Sequence, residues 1–206
     1  MKRIAMFFER RPWWLALGVL VIFWGLAYMV PNHLDNRPVK KVIDRVGDAI
    51  PFVDWTVVIY LSVFILIGVG IFILAREERG RATVTVLLLI AIHLVIFYFH
   101  PTLLPRNRLV PGADWQWVYR ILWALDSPRN CFPSLHVSVA MLATLMLWRR
   151  HKFMGLVFFV WVLAVALSTL TTKQHYVADV VWGGLLAVAV YIVTFHIFVR
   201  FVPPRE

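Results

Sequence analysis

The chain has 206 residues, 61% of them hydrophobic, and a mean hydropathy of +0.77. A soluble domain of this size does not carry so much apolar surface. The formal net charge of +10 lies in clusters beside apolar segments, where cations meet anionic lipid headgroups and set topology. No basic soluble domain is left to bind nucleic acid, so membrane lipids are the expected partners.

Six stretches contain no Asp, Glu, Lys or Arg: residues 12–34, 55–75, 82–105, 130–148, 153–172 and 180–199, the shortest of them 19 residues long. A spanning helix needs roughly 20 apolar residues. The pattern predicts an all-α fold, a six-transmembrane-helix bundle that forms one integral-membrane domain over residues 1–206. A buried soluble helical core would need polar outer faces, which these stretches lack.

The first stretch follows Lys2, Arg3, Arg10 and Arg11. Its apolar run exceeds the about 7–15 residues of a cleaved signal peptide, so it reads as an uncleaved signal anchor. With the N-terminus inside, the inner segments 1–11, 76–81, 149–152 and 200–206 hold 12 of the 21 Lys and Arg residues. The outer segments hold nine but are much longer, so cation density places both the N- and C-termini in the cytoplasm. The outer region 33–54 is mixed in charge and predicts a short surface helix over residues 39–46.

The next outer region, about 100–133, is the longest. Residues 114–125 predict an interfacial amphipathic helix before helix four. Trp115, Trp117, Tyr119 and Trp123 suit the headgroup zone, as an aromatic belt rather than a ligand cage. The one cysteine, Cys131, excludes an intramolecular disulfide, and no neighbouring group is placed to activate it as a nucleophile.

Two clusters of polar residues stand at helix ends, where ionisable groups in a membrane protein need a reason. The first, Asn130-Cys131-Phe132-Pro133-Ser134-Leu135-His136, opens helix four. Pro133 suits the first helical turn, and Ser134 and His136 then sit where free N–H groups and the positive dipole end favour an anion. The second, Thr171 to Asp179, opens helix six. Thr171 and Gln174 fit a capping box. His175 and Asp179, four residues apart, predict a shared helical face on which the carboxylate holds one ring nitrogen and leaves the other as nucleophile or base. Helices four and six run in the same direction, so His136 and His175 are expected on one membrane face.

The pair Pro-Ser-x-His (133–136) and His-Tyr-x-x-Asp (175–179) resembles the type 2 phosphatidic acid phosphatase superfamily. The wording around both motifs looks closest to its inositolphosphotransferase-like branch, related to inositol phosphorylceramide synthases. The motifs cover the last third of the chain, and the six-helix plan nearly all of it. The resemblance implies that His175 attacks phosphorus and forms a phosphohistidine, that Asp179 orients it, and that His136 protonates the leaving oxygen. Ser134 and backbone N–H groups would hold phosphate oxygens, with no metal and no other cofactor. The family's first motif, a Lys followed by Arg-Pro, is absent, and Arg106 with Arg108 are the nearest substitutes. Its Ser-Arg before the nucleophile is replaced by Ser168-Thr169, which leaves Lys173 and Arg129 as further phosphate-binding candidates. Leu135 replaces the usual Gly.

The function expected from these residues is that of an integral-membrane lipid phosphate phosphatase or phosphotransferase. Its site would face the periplasm or exterior, in what the short loops suggest is a bacterial inner membrane. Phosphatidic acid, isoprenyl diphosphates and phosphatidyl donors are the substrates considered. The alternatives are a zinc site at His136, His175 and Asp179, disfavoured by the neighbouring cations, and a non-catalytic lipid-binding or transport protein on the same scaffold. His93 and His100 read as packing or interface residues, His33, His151 and His196 as interfacial, and Gly183 and Gly184 as points of close helix packing. Sequence leaves the oligomeric state open.

Overall fold

The structure, a computed structural model, describes residues 1–32, 39–41, 44–74, 76–106, 109–126 and 128–201. It is mostly helical. α1 (Lys2–Glu9) is a short amphipathic helix laid against α6 (Arg76–Phe99). Gly80 permits this contact, because a Cβ there would collide with the Ala5 carbonyl. α2 (Trp13–Asn32) also packs on α6. The second apolar stretch forms α4 (Val57–Leu61) and α5 (Val63–Ile73) after a 3-10 turn at Asp54–Thr56. At their joint, the Ser62 hydroxyl donates to the Ile59 carbonyl at 2.6 Å and accepts the Trp161 indole N–H at 2.7 Å. Serine in a helix that bonds back to its own turn bends it in this way.

Four helical stretches among the described residues are long and apolar enough to cross a bilayer: Asp54–Ile73, Glu78–Phe99, Lys152–Thr171 and Val177–Phe195. The last two belong to α9 (Lys152–Thr171) and α10 (Val177–Phe201). α8 (Leu135–Arg150) has 16 residues, about 24 Å at 1.5 Å per residue, short of a typical hydrocarbon core of about 30 Å. It is shorter than the sequence stretch because Ser134 is its N-cap, its side chain accepting from the Val137 N–H at 3.4 Å. Pro133 therefore precedes the helix rather than filling its first turn. α8 packs against α5, α6, α9 and α10 and stands at the centre of the bundle. Leu66, Leu89, Leu135, Leu142, Phe158 and Val165 form its buried heart. Val21, Ile22, Phe72, Val160, Leu167 and Trp182 stay exposed on the outer faces. That apolar perimeter suits hydrocarbon rather than water.

The loops beside the two histidine segments depart from a purely α reading. Lys40–Lys41 (β1) pairs in parallel with Thr102–Leu103 (β2). The helix expected over 39–46 is replaced by this strand and by α3 (Arg45–Ala49). The reason is Asp44, whose carboxylate accepts the Gly47 N–H at 2.9 Å, so the helix can only begin after it. The interfacial helix is present as α7 (Gln116–Leu125). It buries Val118, Tyr119 and Leu122 against Val57 and Tyr60, and leaves Trp117, Ile121 and Leu125 exposed. Tyr119 is not a headgroup residue: it is fully buried, and its hydroxyl donates to the Asp54 carbonyl at 3.1 Å.

Candidate active site

The start of α8 is held by backbone hydrogen bonds from the strand beside it. The N–H groups of Cys131 and Phe132 both donate to the Thr102 hydroxyl, at 3.1 and 3.2 Å, and the Leu104 N–H donates to the Pro128 carbonyl at 2.9 Å. A second set of bonds clamps α8 to α10. The Ser134 N–H donates to the Asp179 carbonyl at 2.9 Å. The Ser138 hydroxyl lies 2.8 Å from both the Ser134 and Gly183 carbonyls and 3.1 Å from His93 Nε2. Gly183 is needed here, since a Cβ would sit 2.6 Å from the Ser134 carbonyl oxygen. His93 is thus a fully buried packing residue, its Nδ1 2.8 Å from the Leu89 carbonyl.

The segment before α10 is built differently from expectation. Thr171 ends α9 rather than capping α10, and the helix starts only at Val177. The N–H groups of Gln174 and His175 return to the Thr169 carbonyl, at 2.9 and 3.2 Å, which folds the segment into a tight turn. Lys173 takes a left-handed φ of 54° within it. Two carboxylates cap α10: Asp179 accepts the Tyr176 N–H at 2.8 Å, and Asp44 accepts the Val177 N–H at 2.7 Å. Asp44 therefore caps α3 and α10 together and ties the loop before α4 to the turn between α9 and α10.

These two helix starts bring His136 and His175 together, with ring centroids 5.9 Å apart and planes at 61°. Both side chains are buried. His175 Nδ1 lies 3.0 Å from the Cys131 carbonyl, whereas the Asp179 carboxylate is 3.5 Å away. His175 precedes the helix, so it does not share a helical face with Asp179. A backbone carbonyl fixes its orientation, and the fully buried Asp179 carboxyl group stands beside it. Nδ1–H donating to Cys131 leaves Nε2 as the nitrogen able to act as a nucleophile. His136 is enclosed by aromatic rings: Tyr60 at 4.6 Å, Trp24 at 5.2 Å and Phe64 at 6.2 Å between centroids.

The candidate phosphate-binding residues divide sharply. Ser134 is fully buried at the α8 N-terminus, two residues before His136. Arg106 is turned inward: its guanidinium donates to the Asp126 carbonyl at 2.6 Å, to the Asp126 carboxylate at 3.2 Å and to the Gln174 side chain at 2.7 Å. Its Nε is buried without a hydrogen-bond partner. Lys173 points away, its ammonium holding the Gly47 and Ile50 carbonyls at the end of α3. Arg129 is half-buried, and its backbone bridges to Leu103. Arg108 lies outside the described residues. Burial pushes the Asp126 carboxyl up, against the opposing pull of Arg106. Burial also pushes the Cys131 thiol up, with the Asp179 and Asp126 charges adding, so it stays protonated at neutral pH. Among the described residues no group of three or more His, Cys, Asp or Glu is arranged to hold a metal ion.

Several parts of the site escape a reading of the sequence. The Cys131 carbonyl and the Trp24 and Tyr60 rings leave no motif. Asp126 leaves a faint one, as the only acidic residue between Asp114 and Asp179. Gln174 reads as a cap until its Arg106 partner is seen.

No curated protein matches the chain. The family model of the PAP2 superfamily matches residues 45–193, from α3 through most of α10 and across both histidine segments. With well over half of its length so matched, the chain belongs to the PAP2 superfamily, which marks it as a membrane protein of phosphatase type.

Proposed function

We propose that this protein is a lipid phosphate phosphatase or phosphotransferase that works through a phosphohistidine. It would act at the non-cytoplasmic face of a six-span bundle with both termini in the cytoplasm. In that arrangement α2 and α8 complete the set begun by the four stretches Asp54–Ile73, Glu78–Phe99, Lys152–Thr171 and Val177–Phe195. The observation that carries the reading is the pairing of His136 and His175 at 5.9 Å, with His175 Nδ1 held by a backbone carbonyl. Two imidazoles at that separation can flank one phosphorus atom, one on each side of an in-line displacement.

His175 Nε2 would attack phosphorus while the bond from phosphorus to the leaving oxygen breaks. His136, in its protonated form, would give that oxygen its proton. In the second half-reaction neutral His136 would take a proton from water or from a lipid alcohol. The resulting oxygen nucleophile would displace His175 from phosphorus and restore the enzyme. Asp179 would stabilise the cationic His175 ring as the phosphoryl group forms on it. Phosphate oxygens would meet the Ser134 hydroxyl, whose lone pair is already occupied by Val137 N–H, and the opening N–H groups of α8. Of the cations, Arg106 is the best-placed clamp, through its unpaired Nε; Lys173 could serve only by releasing α3. Whether water or an alcohol is the acceptor separates an ordinary phosphatase from a member of the inositolphosphotransferase-like branch.

The test is turnover by the purified protein in lipid nanodiscs. The panel would hold phosphatidic acid, an isoprenyl diphosphate and phosphatidylinositol, each with and without a lipid alcohol. At least one should release phosphate or transfer its headgroup, and His175→Ala should abolish this while leaving the thermal unfolding midpoint unchanged. Equal turnover by that variant refutes the mechanism.

A further inference from the structure

His175 belongs to a turn that is anchored by a segment on the protein surface. The stretch from Asp44 to Thr56 runs alongside it and bonds to it at several points. The Val53 N–H donates to the Thr171 carbonyl at 2.9 Å, and the Thr56 and Thr171 hydroxyls lie 2.7 Å apart. The Lys173 ammonium donates to the Gly47 carbonyl at 2.7 Å and also to the Ile50 carbonyl. The Asp44 carboxylate accepts the Val177 N–H at 2.7 Å. Residues 171, 173 and 177 are thus tied down, and they bracket His175. α3 itself leaves Val46, Asp48 and Ala49 exposed, so hydrogen bonds hold it where packing contributes little.

Lysine is an unexpected residue at position 173. Its φ of 54° is left-handed, a conformation in which a Cβ is crowded and which glycine adopts freely. That backbone turns the chain back so that the Gln174 and His175 N–H groups reach the Thr169 carbonyl. A glycine would make the same turn without strain, so the lysine is explained by its side chain, which is half-buried and directed at α3. We propose that Lys173 is a positioning residue. It grips the end of α3 while Asp44 grips the start, and the surface segment becomes a strap. The strap holds the His175 turn against the Cys131 carbonyl, where the ring Nδ1 sits at 3.0 Å. The inference rests on the catalytic reading above and takes Lys173 out of the phosphate ligands.

Lys173→Gly tests this without straining the backbone, and Asp44→Ala cuts the strap at its other end. Lys173→Met, which keeps the apolar stem, carries the same readouts if the glycine variant does not fold. For the ester that the wild type turns over in lipid nanodiscs, the variants should lower kcat about 10–100-fold, as a misplaced nucleophile does. KM and the inhibition constant for inorganic phosphate should stay within about twofold of wild type, whereas losing a phosphate ligand raises both about tenfold or more. In parallel, ¹⁵N spectra of histidine-labelled protein report the ring without any turnover, with the His175 signals identified by their absence from His175→Ala. Wild type should show a protonated Nδ1 and a bare Nε2, and the variants a mixture of the two tautomers. Raised constants in the Lys173 variants with an unchanged His175 spectrum make Lys173 a phosphate ligand and overturn the proposal. Unchanged kcat and spectrum in the variants overturn it as well. If the wild type turns over no ester, the catalytic reading fails and the spectra alone decide: mixed tautomers in the variants uphold the strap, and an unchanged spectrum refutes it.

Discussion

The two histidines reach one another by opposite means. His136 sits inside the first turn of α8, behind an N-cap serine, and three aromatic rings enclose it. His175 lies outside any helix, in a turn folded onto the Thr169 carbonyl, and a single carbonyl of the other segment orients its ring. One is positioned by packing and the other by hydrogen bonds across a loop. Packing places His136 in an apolar niche. Hydrogen bonding fixes a tautomer, which suits a nucleophile.

Substitutions that separate these roles put the contrast at risk. The largest effect is expected from His175→Ala, which removes the nitrogen proposed to attack phosphorus and should abolish turnover of every phosphate ester, activated or not. His136→Ala should lower turnover of a lipid phosphate by about 10²–10⁴-fold, the usual worth of general acid–base catalysis. The deficit should shrink for p-nitrophenyl phosphate, whose leaving oxygen needs no proton. An equal deficit for both esters would mean that His136 is not the acid. Asp179→Asn should follow, with a loss of about 10²–10³-fold in kcat. That is the scale of a charge some 4 Å from a developing cation in a protein interior. A neutral Asp179→Asn would reduce the carboxylate to a helix cap.

Smaller effects test the loop side. Thr102→Val removes the acceptor shared by the Cys131 and Phe132 N–H groups. Leaving those buried donors unsatisfied should cost about 1–3 kcal/mol in unfolding free energy and reduce turnover by loosening the carbonyl that holds His175. Asp44→Ala removes one carboxylate from two helix starts and should cost about 1–2 kcal/mol. Chemical denaturation in detergent, followed by tryptophan fluorescence, measures both.

The same division explains what the sequence could tell. The gaps between charges mark the helices, because a bilayer-facing helix excludes charge along its whole length. They overstate α8, whose cap lies four residues inside the uncharged stretch 130–148. The amphipathic α7 is legible within two residues of its observed start. The meeting of His136 and His175 follows from α8 and α10 lying side by side and starting at the same end, and a polar motif at each helix start foreshadows it. What the sequence hides is set by tertiary partners. Asp44 ends the expected 39–46 helix because its two oxygens accept the Gly47 and Val177 N–H groups, one each. Arg106 turns inward because Asp126 and Gln174 are waiting there. Asp179 loses the His175 hydrogen bond to a backbone carbonyl that no side-chain pattern announces.

Rapid-quench labelling bears most directly on the proposed phosphohistidine. The protein would be mixed with a ³²P-labelled lipid phosphate that it turns over, stopped in alkali within one turnover, and digested. The expected result is label on the peptide that contains His175, stable in alkali, lost in acid and absent from His175→Ala. Full turnover with no labelled protein at any time, or label that persists in His175→Ala, would contradict a phosphohistidine at this position.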